Sequence, residues 1–171
     1  MSDEIRVGVS SCLLGEKVRY DGGDKREPAI TAMLGRSFTF LPVCPEVGCG
    51  LPVPRDPMRL EGDPARPRLV TITTRIDLTG RMEEYCRRMV QELEREKLSG
   101  FIFKSRSPSC ALSPIEVCST GEVGYSRGLF AAAVTAHFPL LPVEEEGRLD
   151  EPGTREAFIE RAVAYSRIYR S

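Results

Sequence analysis

The sequence predicts an α/β fold: a mostly parallel sheet with flanking crossover helices and one long proline-rich loop. Short β-branched and aliphatic runs alternate with stretches of helical period, the pattern of strands joined by crossover helices. With 171 residues, the chain is long enough to bury a core without staples, and residues 1–171 are read as one domain. No internal repeat or low-complexity linker interrupts it.

The first strand is expected over residues 5–10, followed by a glycine-rich loop that includes Tyr20-Asp21-Gly22-Gly23-Asp24. A short helix over 28–34 follows from Pro28, which suits a first turn, and Gly35, which suits a stop. The second strand covers 37–43 and ends at Cys44. Prolines at 52, 54, 57, 64 and 67 then break regular structure, leaving a long ordered loop with a short strand near 58–60. Leu69-Val70-Thr71-Ile72-Thr73-Thr74 reads as a strand by its β-branched content.

The longest helix is predicted over 79–98, with Met82, Tyr85, Cys86, Met89, Val90 and Leu93 on one apolar stripe. Gly100 ends it, and Phe101-Ile102-Phe103 begins the strand that leads to Cys110. An alanine-rich helix over 128–138 stops at Pro139, a last strand covers 140–143, and a helix over 154–169 closes the chain. The run Glu144-Glu145-Glu146 reads as solvated surface. His137, the sole histidine, reads as a partner of its helix's C-terminal dipole rather than a ligand.

Charge excludes some functions. Lys and Arg number 24 against 25 Asp and Glu, a net charge of −1, so no basic footprint marks a nucleic-acid or anionic-membrane partner. The polar start Met1-Ser2-Asp3-Glu4 lacks the pattern of a secretory signal, and no apolar run reaches the length of a membrane span. The expected location is the cytoplasm. There, six cysteines point to metal binding or catalysis rather than to a disulfide framework.

The cysteines divide by position. Cys86 falls on the apolar stripe of the long helix and reads as core, and Cys118 sits in a strand-like alternation. Cys12, Cys44 and Cys110 each follow a predicted strand end, where open α/β sheets build their sites. Three thiolates so placed suit an iron–sulfur cluster, whose sulfurs need amide hydrogen bonds and shelter from water. Cys49, flanked by Gly48 and Gly50, stands open as a fourth ligand that would close a structural site. A cysteine nucleophile passing persulfide sulfur from Cys12 or Cys110 is the other alternative, and it lacks a nearby histidine base.

Four motifs in order carry a resemblance. These are Ser10-Ser11-Cys12-Leu13-Leu14-Gly15 with Val18-Arg19-Tyr20-Asp21-Gly22, then Pro42-Val43-Cys44-Pro45-Glu46, Gly50-Leu51-Pro52-Val53-Pro54-Arg55, and Ser107-Pro108-Ser109-Cys110. Together they resemble the 2-thiouracil desulfidase family, formerly a domain of unknown function, from about Val7 to Arg127. The resemblance implies a single-domain, Rossmann-like α/β fold and a [4Fe–4S] cluster on Cys12, Cys44 and Cys110, with the fourth iron open to the sulfur of a thiolated pyrimidine. It implies catalytic roles for Glu46 and Ser107. Water would add to the thiocarbonyl carbon, and carbonyl base and hydrogen sulfide would leave without net electron transfer. Tyr20, Asp21, Arg55 and Ser109 are expected around the substrate, a free thiolated nucleobase.

Overall fold

The computed structural model describes residues 4–169. In chain order the elements are β1 (Arg6–Ser10), α1 (Pro28–Met33), β2 (Thr39–Val43), α2 (Pro45–Gly48), β3 (Met58–Glu61), β4 (Arg68–Thr71), α3 (Thr79–Glu96), β5 (Gly100–Phe103), β6 (Ile115–Cys118), β7 (Gly124–Ser126), α4 (Leu129–His137), β8 (Val143–Glu145) and α5 (Pro152–Tyr169). Among the described residues no helix is long and apolar enough to cross a membrane.

The main sheet runs β2-β1-β5-β8, and every pairing in it is parallel. From β1 the chain moves out to β2 on one side, and the next strand of this sheet, β5, lies on the other side of β1. That reversal opens a crevice beyond the carboxyl ends of β1 and β5, the position at which doubly wound sheets bind ligands. The mostly parallel α/β architecture matches the sequence expectation.

Strand period sorts the core. Phe101 and Phe103 of β5 face α3 and α4, in one cluster with Met82, Tyr85 and Phe130. Ile102 faces the other way, with Val7 and Val9 of β1, Ile30 of α1 and Phe158 of α5. Gly8 sits between Val7 and Val9 because Phe101 fills the space beside it: a Cβ at Gly8 would lie 2.4 Å from that ring. The predicted stripe of α3 is buried at Met82, Tyr85, Cys86, Val90 and Leu93.

Three features depart from the sequence reading. First, the short strand expected near 58–60 is present as β3, but it does not stand alone in a loop: it joins β4, β6 and β7 in an unforeseen second sheet of order β4-β3-β6-β7. It contributes Leu60, Leu69 and Val117 to the α3 side of the core. Second, the strand expected over 69–74 ends at Thr71, where the Asp56 carboxylate accepts the amides of Thr73 and Thr74 at 3.0 and 2.8 Å and turns the chain.

Third, the last strand is Val143–Glu145 rather than 140–143, with Phe101, Ile102 and Phe103 paired to Val143, Glu144 and Glu145. The acidic run is therefore not solvated surface: Glu144, Glu145 and Glu146 are all buried. Parallel pairing with β5 draws in Glu144 and Glu145, Glu146 follows directly after them, and nearby partners make the burial tolerable. Glu144 forms an ion pair with Arg148 at 3.1 Å, Glu145 accepts from the Leu112 amide at 2.9 Å and Glu146 from the Ser105 amide at 2.8 Å.

Candidate metal centre

Cys12 lies in a 3-10 turn, Ser11–Leu14, directly after β1, and Gly15 closes that turn at φ 94°. Cys44 is the residue between β2 and α2, where Pro45 starts the short helix. Cys110 lies within the irregular loop that follows β5. All three line one cavity of about 410 Å³ at the carboxyl end of the main sheet. Strands distant in sequence thus bring three thiols to one space.

The thiols are free and sheltered. Burial pushes Cys12 up to about 11, with the positive charge of Lys104 opposing the rise. Burial also raises Cys44, while the amides of Val47 and Glu46 at the start of α2 hydrogen-bond its sulfur and oppose the shift. Cys110 rises through burial too, against a hydrogen bond from Ser10. Thiols held in this way are protonated until a metal displaces the protons.

Among the described residues no three His, Cys, Asp or Glu side chains converge as a single-ion site requires. The thiols stand instead around the wall of a cavity. This soft, sulfur-only donor set, spread around a space and backed by amides, fits an iron–sulfur cluster better than one hard cation. Cys49 is absent from the cavity wall: its thiol donates to the Glu46 carbonyl at 3.2 Å, and it packs against the α3 side of the core. Cys86 is core, as expected, and Cys118 is part of β6.

Glu46 lines the cavity two residues after Cys44. Its Oε1 accepts from Arg55 Nε at 3.0 Å and lies 2.8 Å from Nη2 in the same ion pair, and its Oε2 accepts from the Ser109 hydroxyl at 3.0 Å. Arg55 also donates to the Val18 and Pro52 carbonyls, and its amide donates to the Tyr20 carbonyl at 2.7 Å, so it ties the β1 loop to the Glu46 wall.

The Ser107 Oγ accepts the amides of Ser109 and Cys110 at 3.1 and 3.0 Å, which leaves its own proton free to point into the cavity it lines. Tyr20 lines the mouth with Arg19 over its ring. Ser109 is fully buried behind the wall. Asp21 is outside the wall altogether: its carboxylate accepts the Gly23 amide at 2.9 Å in a local turn and sits 3.8 Å from Arg19.

The model of the 2-thiouracil desulfurase family matches residues 7–146. The chain belongs to that family. The desulfurase match takes in all three cysteine loops, Glu46, Arg55 and the buried acidic run, and ends before α5. Among solved structures, the chain is similar to one described as "[4Fe-4S]-dependent thiouracil desulfidase TudS", at 28% identity and a TM-score of 0.68, over 90% of this chain and 97% of that one. No curated protein matches it.

Relative to this desulfurase scaffold, the sequence reading gave no site role to Ser10, Lys104, Glu146 or Gly128. Lys104 lines the cavity, and its amide donates to the Ser10 Oγ at 3.0 Å. A Cβ at Gly128 would lie 2.5 Å from the Ser109 carbonyl carbon and 2.7 Å from the Cys110 nitrogen. That absence of side chain lets the first turn of α4 meet the cysteine loop, where the amides of Leu129 and Phe130 donate to the Pro108 and Ser109 carbonyls at 3.0 and 2.9 Å. A glycine immediately before the alanine-rich helix was the only signal available for this contact.

Proposed function

We propose that the protein removes sulfur from a thiolated pyrimidine such as 2-thiouracil, giving the carbonyl base and hydrogen sulfide. A [4Fe–4S] cluster would be held by Cys12, Cys44 and Cys110 and by no fourth side chain. The observation that carries this reading is the meeting of those three thiols with the Glu46 carboxylate around one cavity. When bound, a cluster with one iron free of protein ligands supplies a soft Lewis acid matched to a thiocarbonyl sulfur.

The chain's own residues supply the rest. Replacing C=S by C=O consumes one water and releases one hydrogen sulfide, so no electron carrier is required. Glu46, fixed by Arg55 and Ser109, accepts a proton from that water as it approaches the thiocarbonyl carbon. The free Ser107 proton donates to the water or the base and orients it. Tyr20 offers the one aromatic ring of the wall to a planar pyrimidine. Arg55 and Ser109 act through Glu46 rather than on substrate, and Asp21 serves its turn.

The chain works as one domain in the cytoplasm on a small molecule, without a nucleic-acid or membrane partner. Its balanced charge and six free cysteines support that setting.

The test is anaerobic reconstitution with iron and sulfide, then iron counting and sulfide release from 2-thiouracil. Wild type and Cys49→Ser are expected to load four irons per chain and release sulfide, while Cys12→Ser, Cys44→Ser and Cys110→Ser lose both. A cluster that depends on Cys49, or a loaded protein that releases no sulfide, refutes the reading.

A further inference from the structure

The loop from Lys104 to Pro114 carries Cys110 and Ser107 and has no strand or helix of its own. Arg106 within it adopts φ 63°, a left-handed conformation that a non-glycine residue holds only when its surroundings fix it. The loop is fastened from one side by α4 through Gly128. On the other side stand two buried carboxylates at the end of β8.

Glu146 takes the start of the loop. Its Oε2 accepts the Ser105 amide at 2.8 Å, its Oε1 accepts the Ser105 hydroxyl at 2.5 Å, and Lys104 Nζ sits 3.3 Å from that same Oε1. Glu145 takes the far end, where its Oε2 accepts the Leu112 amide at 2.9 Å. Only 6% and 7% of Glu145 and Glu146 are exposed, so each carboxylate spends its acceptors on the loop rather than on water. A buried carboxylate costs stability unless its donors are in place, and an apolar pair would bury more cheaply. What an apolar pair lacks is the ability to hold backbone amides on both sides of Cys110.

We propose that Glu145 and Glu146 are positioning residues that grip the two ends of the Cys110 loop, and that Glu146 also holds Lys104 in the cavity wall. The grip keeps Cys110 and Ser107 at the stations the cluster and the water require. Its bearing on function rests on the reading of Cys110 as a ligand; the grip itself does not.

The test reads Cys110 directly. Full-length protein freed of iron by chelation is exposed to a small alkylating reagent, and modification of each cysteine is followed by peptide mass spectrometry, with buried Cys86 as the internal control for global unfolding. The Glu145→Ala/Glu146→Ala double variant is expected to alkylate Cys110 about a hundredfold faster or more, because it removes three hydrogen bonds to charged groups and each restrains opening about tenfold. Ser105→Ala, which removes one of the bonds to Glu146 with little risk to folding, is expected to give about tenfold, with Cys86 unchanged in both.

Iron per chain after reconstitution should fall in the same order, and Glu146→Gln, which keeps an acceptor for the Ser105 amide, should recover most of the double variant's loss. Cys110 protection equal to wild type in Ser105→Ala and in a folded double variant overturns the proposal. Faster Cys110 alkylation with undiminished iron loading upholds the grip and instead refutes Cys110 as a ligand.

Discussion

Arg55 places two of its nitrogens on a single carboxylate oxygen of Glu46, Nε at 3.0 Å and Nη2 at 2.8 Å. Both side chains are nearly withdrawn from solvent, at 6% and 14% exposure. The fork fixes the carboxylate's plane and leaves Oε2 to Ser109, so Glu46 enters the cavity in one orientation. A carboxylate two residues from a thiol has many rotamers; this one is held to a single pose.

Arg55→Lys keeps the charge and loses the fork. Sulfide release should fall about 10–100-fold, the usual cost of losing a supporting partner, with iron content unchanged. Glu46→Gln should cost more, about 10²–10⁴-fold in kcat, as expected for a group that moves a proton. Steady-state kinetics on loaded enzyme, with iron counted in each sample, decides it; equal rates in wild type and Glu46→Gln would remove Glu46 from the chemistry.

The two loop serines should separate. Ser109→Ala strips Glu46 Oε2 of its donor in a fully buried position, and the lost bond to a charged group costs about 1.5–3 kcal/mol. Chemical denaturation should register that loss. Ser107→Ala removes both the acceptor for the Ser109 and Cys110 amides and the cavity-facing proton. Ser107→Thr restores both, and rescue of turnover by threonine but not alanine marks the hydroxyl as the working part.

Gly128→Ala tests the seat of α4. The added methyl meets backbone at 2.5–2.7 Å rather than a flexible side chain, so neither neighbour yields cheaply. A loss of about 1–3 kcal/mol is expected from overpacking, together with poorer iron loading than Gly80→Ala, where nothing lies within 4 Å. Paired thermal melts and iron counts would show it.

Acid stability should depend on Glu61. Hydrogen bonds from Arg75 and then Arg59 hold its carboxyl down from 4.5 to about 2. A depressed carboxylate stabilises the fold above its unfolded value and loses that contribution as pH falls from about 4.5 through about 2. Urea titrations of metal-free protein across that window should show a steeper loss of stability in wild type than in Glu61→Gln. Parallel curves would mean the two arginines contribute nothing there.

Much of the scaffold was legible locally. The alternation at Phe101-Ile102-Phe103 and the helical stripe from Met82 to Leu93 each set one element and its buried face, because side-chain period alone decides them. The positions of Cys12, Cys44 and Cys110 after strands were legible for the same reason. Glu144-Glu145-Glu146 was not, since three carboxylates in a row look solvated unless the donors that satisfy them are known. Those donors, Ser105, Leu112 and Arg148, are settled by strand pairing and loop path.

The sequence by itself determined which residues form strands and helices, that three cysteines end up at strand ends, and that Glu46 travels with Cys44. These follow from periods and neighbours a few residues apart. Only the tertiary structure decided that the three strand ends open onto one cavity, that Cys49 turns away from it, and that Ser109 reaches Glu46 while Asp21 stays in its own turn. Strand order, register and the close approach at Gly128 join residues distant in the chain, and no local pattern encodes which distant partner fills a buried hydrogen bond.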